Sequence, residues 1–200
     1  MRAHFRYRHL ALAGALASVL AAASMMPAPA GAQSMAWRIT TGEVVVSCPL
    51  TVGGSFEART SSLSGQLAID AAQPSTLTGE IAVDLKTLDS GISLRNTHMR
   101  DNYLEVGKGE GFDRAVLSEI VVKGDAATIT GATTFTATLL VHGTRKPVSG
   151  QARVARTGSD VRVEASFPVN LPGFGIPEPR YLGVGVKDQV QVKVKFGSAR

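Results

Sequence analysis

The sequence predicts an all-β fold: one domain of eight or nine mostly antiparallel strands, closed as a barrel or stacked as a sandwich. Three observations carry this. Apolar residues recur at every second position in run after run, the period of a strand with one greasy and one wet face. No long stretch has the three-and-four spacing that a helix needs to face a core. Turn-forming residues separate the runs.

Taken in order, residues 37–46 and 55–59 read as strands around a Gly53-Gly54 turn. Leu63, Leu67 and Ile69 then alternate with Ser64, Gln66, Ala68 and Asp70. Beyond an expected turn at Gln73-Pro74-Ser75, Leu77, Ile81, Val83 and Leu85 alternate with Thr78, Glu80, Ala82 and Asp84. Residues 115–122 end at Lys123-Gly124-Asp125, and Phe135, Ala137, Leu139 and Val141 alternate up to Gly143-Thr144-Arg145. Residues 148–155 lead to Thr157-Gly158-Ser159, followed by Val161, Val163, Ala165, Phe167 and Val169 in alternation. Val190, Val192, Val194 and Phe196 supply the last strand. Two stretches break the pattern. Residues 92–104 predict a short helix or two turns, and residues 171–182, with Pro172, Gly173, Gly175, Pro177 and Pro179, predict an irregular crossing.

The N-terminus has a different character. Arg2, Arg6 and Arg8 precede an uncharged, Ala- and Leu-rich run over 10–23, and small residues stand at Ala30 and Ala32. A basic end, a short apolar run and an Ala-x-Ala site predict a secretory signal peptide over residues 1–32, cleaved from a domain at 33–200. The apolar run is shorter than the roughly 20 residues that span a bilayer, so no stable membrane insertion is expected after cleavage. Removing 32 of the 200 residues takes away three of the 21 basic side chains and no acidic ones, leaving 18 against 16. The basic balance therefore belongs largely to the export segment. With few aromatics and scattered cations, nucleic acid is not an expected partner.

Catalytic signatures are absent from the sequence. After cleavage only His98 and His142 remain, with no Gly-x-Ser-x-Gly elbow, no Cys-x-x-Cys-His and no phosphate-binding glycine loop. No cofactor or metal site is expected, and His142, directly before Gly143, reads as a turn residue. Cys48, the single cysteine, reads as a small apolar residue in a strand. One polar cluster stands out: Arg95, His98, Arg100 and Asp101. Guanidinium forks bind phosphate or carboxylate bidentately, and the same arginines also suit structural ion pairs.

Around this cluster the chain resembles the YceI-like proteins of bacterial envelopes. The resemblance rests on Gly54-Ser55-Phe56 with Ser64-Gly65, on Ser90-Gly91 followed by Arg95-Asn96-Thr97-His98-Met99-Arg100 and Tyr103-Leu104-Glu105-Val106, and on the run from Leu139 through His142-Gly143-Thr144-Arg145-Lys146-Pro147 to Val148. Phe174-Gly175-Ile176 and Lys187-Asp188-Gln189-Val190 complete it, in family order, over nearly all of the chain after the export segment. Asn96 stands where that family usually has Asp, and a glycine-rich insert at Gly107-Lys108-Gly109-Glu110-Gly111 replaces its usual strand start. The resemblance implies a lipocalin-like barrel of about eight strands, capped near 92–104. It also implies a non-catalytic, periplasmic protein that binds a polyisoprenoid lipid or an isoprenoid quinone; the residues alone leave open a structural or interaction protein of the envelope with a side-chain-filled barrel, or an enzyme acting on a lipid head group. On this reading Phe56, Ile69, Ile81, Val83, Leu139 and Phe167 face the lumen, and Arg95, His98 and Arg100 hold the ligand head group.

Overall fold

The computed structural model describes residues 36–70, 72–181 and 183–199; the expected signal peptide over 1–32 lies outside the described residues. Nine strands form one antiparallel sheet: β1 (Ala36–Pro49), β2 (Ser55–Thr60), β3 (Leu63–Asp70), β4 (Gln73–Asp84), β5 (Arg114–Val122), β6 (Gly131–Val141), β7 (Thr144–Thr157), β8 (Asp160–Asn170) and, last in the chain, β11 (Gln189–Ala199). Two short strands, β9 (Arg180–Tyr181) and β10 (Val184–Gly185), pair separately in the crossing before β11. The order is β11-β8-β7-β6-β5-β4-β3-β1-β2, and β11 pairs back onto β1, so the sheet closes as a barrel. Closure removes the exposed edges that a sandwich would have to protect.

Nine strands make eight staves. β2 runs along the second half of β1, from Val44↔Thr60 to Pro49↔Ser55, and β3 meets its start, from Ala36↔Ala68 to Arg38↔Gln66. β2 and β3 are thus one stave interrupted at Ser61 and Ser62. The expected turn at Gln73-Pro74-Ser75 belongs instead to the first residues of β4. Pro74, which has no N–H to give a ladder, precedes the start of β4–β5 pairing at Thr76↔Val121, and its carbonyl accepts from the Ala126 N–H at 2.9 Å. Register shifts at Gly79 in β4 and Glu119 in β5 bend the barrel wall. Gly79 has φ 93°, and a Cβ there would lie 2.1 Å from the Gln66 carbonyl oxygen.

The two ends of the barrel are finished differently. At the lower end, where β3 turns into β4 and β7 into β8, Trp37, Ile69, Ala126, Val154 and Val161 form a compact cluster. The upper end carries the long connections. Residues 85–113 contain a 3-10 turn (Leu85–Thr87), helix α1 (Ser93–Thr97), a π turn (His98–Tyr103) and a second 3-10 turn (Val106–Lys108). The short helical segment expected at 92–104 is therefore present, and it lies over the upper opening together with the 171–188 crossing. Among the described residues no helix is long and apolar enough to cross a membrane.

Candidate functional site

Strand alternation turns one side chain in two toward the barrel axis, and in the upper half those side chains leave a cavity of about 620 Å³. That volume lies within the roughly 300–1,000 Å³ of small-molecule sites. Val46, Leu117, Leu139, Val141, Phe167 and Val192 are among its walls, and Ile92 and Leu94 from the α1 region frame its mouth with Val184 and Val186 from the crossing. Ile92 and Leu94 are about half exposed, at 49% and 52%, so apolar surface continues from the cavity out to solvent. Arg95, His98, Tyr103, Arg180 and Cys48 are the lining residues with polar side-chain groups. Cys48 is buried, which pushes its thiol up to about 12, with the Arg95 charge pulling weakly the other way. The thiol stays protonated and serves as wall, not nucleophile.

Arg95 is the informative cation. Its guanidinium lies 4.3 Å from the Phe56 ring centroid, a cation–π contact that ties α1 to the β1–β2 hairpin. Among the described residues no carboxylate lies within ion-pairing distance of it. Its guanidinium thus retains donor capacity at the mouth of an apolar cavity.

Most of the lumen residues expected from sequence meet at this cavity: Phe56, Ile81, Val83, Leu139 and Phe167 all line it, as do Arg95 and His98. Two do not. Ile69 sits near the end of β3, opposite Leu77, and is buried in the lower cluster with Trp37, Val154 and Val161. Its side chain packs within that cluster, below the level of the cavity. Arg100 does not line the cavity either. Its Nε and Nη2 both donate to the Leu88 carbonyl, at 3.1 and 2.6 Å, so it fastens the cap to the wall.

The remaining cap contacts are structural. Asn96 accepts at Oδ1 from the Ser90 N–H (2.8 Å) and hydroxyl (2.7 Å), and donates from Nδ2 to the Asp89 carboxylate at 2.6 Å. The Gly91 N–H and then this amide hold the Asp89 carboxyl below its ordinary range. Tyr103 donates its hydroxyl to the Arg180 carbonyl and accepts from the Arg180 N–H, both at 2.9 Å, linking cap to crossing. Glu105, in the left-handed region at φ 51°, meets Lys108 Nζ at 2.8 Å and His142 Nε2 at 2.9 Å. Lys108 first, then His142, lower its carboxyl below the usual range.

His142 occupies the turn position expected of it, also at φ 51°. Its Nδ1 lies 3.2 Å from the Phe174 carbonyl, so both ring nitrogens face oxygen atoms. Gly143 N–H donates to the Gly111 carbonyl at 2.7 Å, and Phe112 packs edge-on to His142 at 4.8 Å. The glycine-rich insert therefore buttresses the β6–β7 turn. Among the described residues no group of three or more His, Cys, Asp or Glu gathers as a metal site would require. Tyr103, read from sequence only as part of the family landmark, and Arg180 were not among the expected site residues. The only signal for Arg180 was its place in the Pro- and Gly-rich crossing, since loops on a rigid scaffold often carry function.

Comparison with known proteins agrees with this architecture. The barrel is similar to that of Burkholderia cenocepacia BcnA (TM-score 0.62, 17% identity, covering 78% of this chain and 95% of that one). It is equally similar to a polyisoprenoid binding domain from Saccharophagus degradans implicated in plant cell wall breakdown (TM-score 0.62, 17% identity, 82% and 97% coverage). The Campylobacter jejuni YCEI protein also matches (TM-score 0.53, 12% identity, 74% and 86% coverage). No curated protein sequence matches the chain. The model of the YceI-like domain matches residues 32–197, and the chain belongs to the YceI-like family.

Proposed function

We propose that the protein is exported, cleaved after Ala32, and held in the periplasm, where it binds a polyisoprenoid lipid or isoprenoid quinone without catalysis, as carrier or scavenger. The observation that carries this reading is the large apolar cavity with its cationic and hydroxyl groups gathered at one end. An amphiphile fits that polarity. Burying its tail contributes about 0.8 kcal/mol per CH₂, so tight binding needs neither a metal nor a covalent bond. The tail lies among Ile81, Val83, Leu139 and Phe167, with Phe56 nearer the mouth. Arg95, His98, Tyr103 and Arg180 surround the head group. Similarity to a domain described as polyisoprenoid-binding supports the ligand class. The Glu105 carboxylate is engaged by His142 and Lys108 and so is not offered to His98 as a catalytic partner, which favours binding over turnover.

Native mass spectrometry with organic extraction tests the proposal on protein purified from its own envelope. A stoichiometric prenyl lipid or quinone is the expected result. Protein that carries no lipid, and takes up neither added long-chain quinone nor prenyl phosphate, would overturn it in favour of a structural envelope role.

A further inference from the structure

Below the 620 Å³ cavity lies a second, of about 100 Å³, in the lower part of the same barrel. Ile81, Leu117, Ala165 and Phe196 line both. Phe167 lines only the upper one and Phe135 only the lower, and their rings meet edge to face at 5.9 Å. The partition is one layer of side chains thick.

Its place along the axis is set by glycines. Phe196 pairs across the sheet with Gly42, Ile81 with Gly65, and Phe135 with Gly150. Directly paired residues on antiparallel strands face the same side, so these three glycines sit at inward positions without a side chain. A Cβ on Gly150 would fall 2.8 Å from Phe167 Cβ and 2.9 Å from Phe135 Cε1, and one on Gly42 would fall 2.2 Å from Leu63 Cδ2. An eight-stave barrel is just wide enough for side chains to fill it. Glycine on one strand and a bulky residue on its neighbour therefore build a waist plugged from three sides.

We infer that this waist, built on Phe135, Phe167 and Phe196, is a length stop that decides how long a tail the upper cavity accepts. The inference rests on the lipid-binding reading and specifies its chain-length selectivity. A tail that ends above the plug buries fully. A longer one either displaces packed aromatic rings or leaves its excess at the mouth in water. The lower cavity, cut off by the plug, takes no part in wild-type binding.

The test is an affinity series with geranyl, farnesyl, geranylgeranyl and solanesyl alcohols on the mature protein. Affinity is expected to rise about tenfold or more per added isoprene unit, then to level off or fall once the tip reaches the waist. Phe167→Ala joins the cavities and moves that break to longer chains. Phe135→Leu, a milder change that keeps an apolar side chain in the core, moves it the same way by a smaller amount. Ala152→Leu, which fills the lower cavity, leaves the wild-type profile unchanged and cancels the shift in Phe167→Ala. Binding with no break, a break unmoved by either phenylalanine variant, or a wild-type profile shortened by Ala152→Leu would overturn the length stop and leave lipid binding standing. Failure of every alcohol to bind wild type would overturn both.

Discussion

Two arginines lie over aromatic rings at opposite ends of this barrel, and they do different things. At the lower end Arg156 sits 5.7 Å from the Trp37 ring, with Nε donating to the Ile129 carbonyl at 3.1 Å and Nη2 to the Ala126 carbonyl at 2.5 Å. Those bonds tie the 123–130 loop across the opening, over the cluster around Trp37. At the upper end Arg95 lies closer to its ring, at 4.3 Å over Phe56, with no carboxylate to pair with among the described residues. One guanidinium ties a loop to the fold and the other keeps donor capacity at a cavity mouth. The pairing of residue types is the same, and the acceptors around each decide its role.

The sharpest way to break the comparison is at the rings beneath the two cations. Trp37→Ala removes a buried anchor from the more closely packed end and is expected to cost about 3–5 kcal/mol, read as a lower urea midpoint. Phe56→Ala, beside an existing cavity, should cost clearly less. Equal losses would mean that both ends are filled alike.

Exchanging the effects of the cations is the next test. Arg156→Met strands two carbonyls and should cost about 1–3 kcal/mol of stability, with prenyl phosphate affinity unchanged in the folded fraction. Arg95→Met should shift stability by less than about 1 kcal/mol. It should weaken prenyl phosphate by about 1.5–3 kcal/mol, the range for a hydrogen bond to a charged group, and prenyl alcohol much less. Equal weakening of phosphate and alcohol would show that Arg95 serves the tail and not the head.

A smaller effect is expected within the cap. Asn96→Asp sets a second carboxylate against Asp89, where the Asn96 amide now donates at 2.6 Å. Backbone amides of 89–104 should exchange faster while the global urea midpoint barely moves; Asn96→Ala should do so less. Unchanged exchange would mean that the staple does not hold the cap.

The smallest effect is acid loosening of the same region. Asp89 and Glu105 are held below their ordinary values of 3.8 and 4.5, so what they contribute is present above those values and lost as pH falls through the lowered ones. Amide exchange in 89–108 should accelerate below about pH 4 relative to the barrel strands, and acceleration above pH 5 would point to another group.

Much of the fold was legible in the chain. Alternation marks which residues face inward in each stave, because a strand's side-chain period is two wherever it sits. Ile81, Val83, Leu139 and Phe167, which it turns inward, line the cavity, and the non-alternating 92–104 stretch, expected as a short helix or two turns, contains α1 and the π turn. Ile69 obeys the same rule and still misses the cavity, because alternation carries direction but not depth along the barrel. Arg95 and Arg100, five residues apart in one polar cluster, were indistinguishable in sequence. The helical turn aims one at the lumen and the other at the Leu88 carbonyl.

By itself, then, the sequence determined strand identity, facing, the turn at His142-Gly143 and the family landmarks, all properties of residues near one another in the chain. Tertiary structure alone decided that the ring closes through β1 and β11, that the upper end holds a much larger cavity than the lower, and that His142 pairs with Glu105. Each of those depends on which distant residues share a level of the barrel. Phe135 meets Phe167 because Gly150 leaves them room, a fact of register between strands that no local pattern contains.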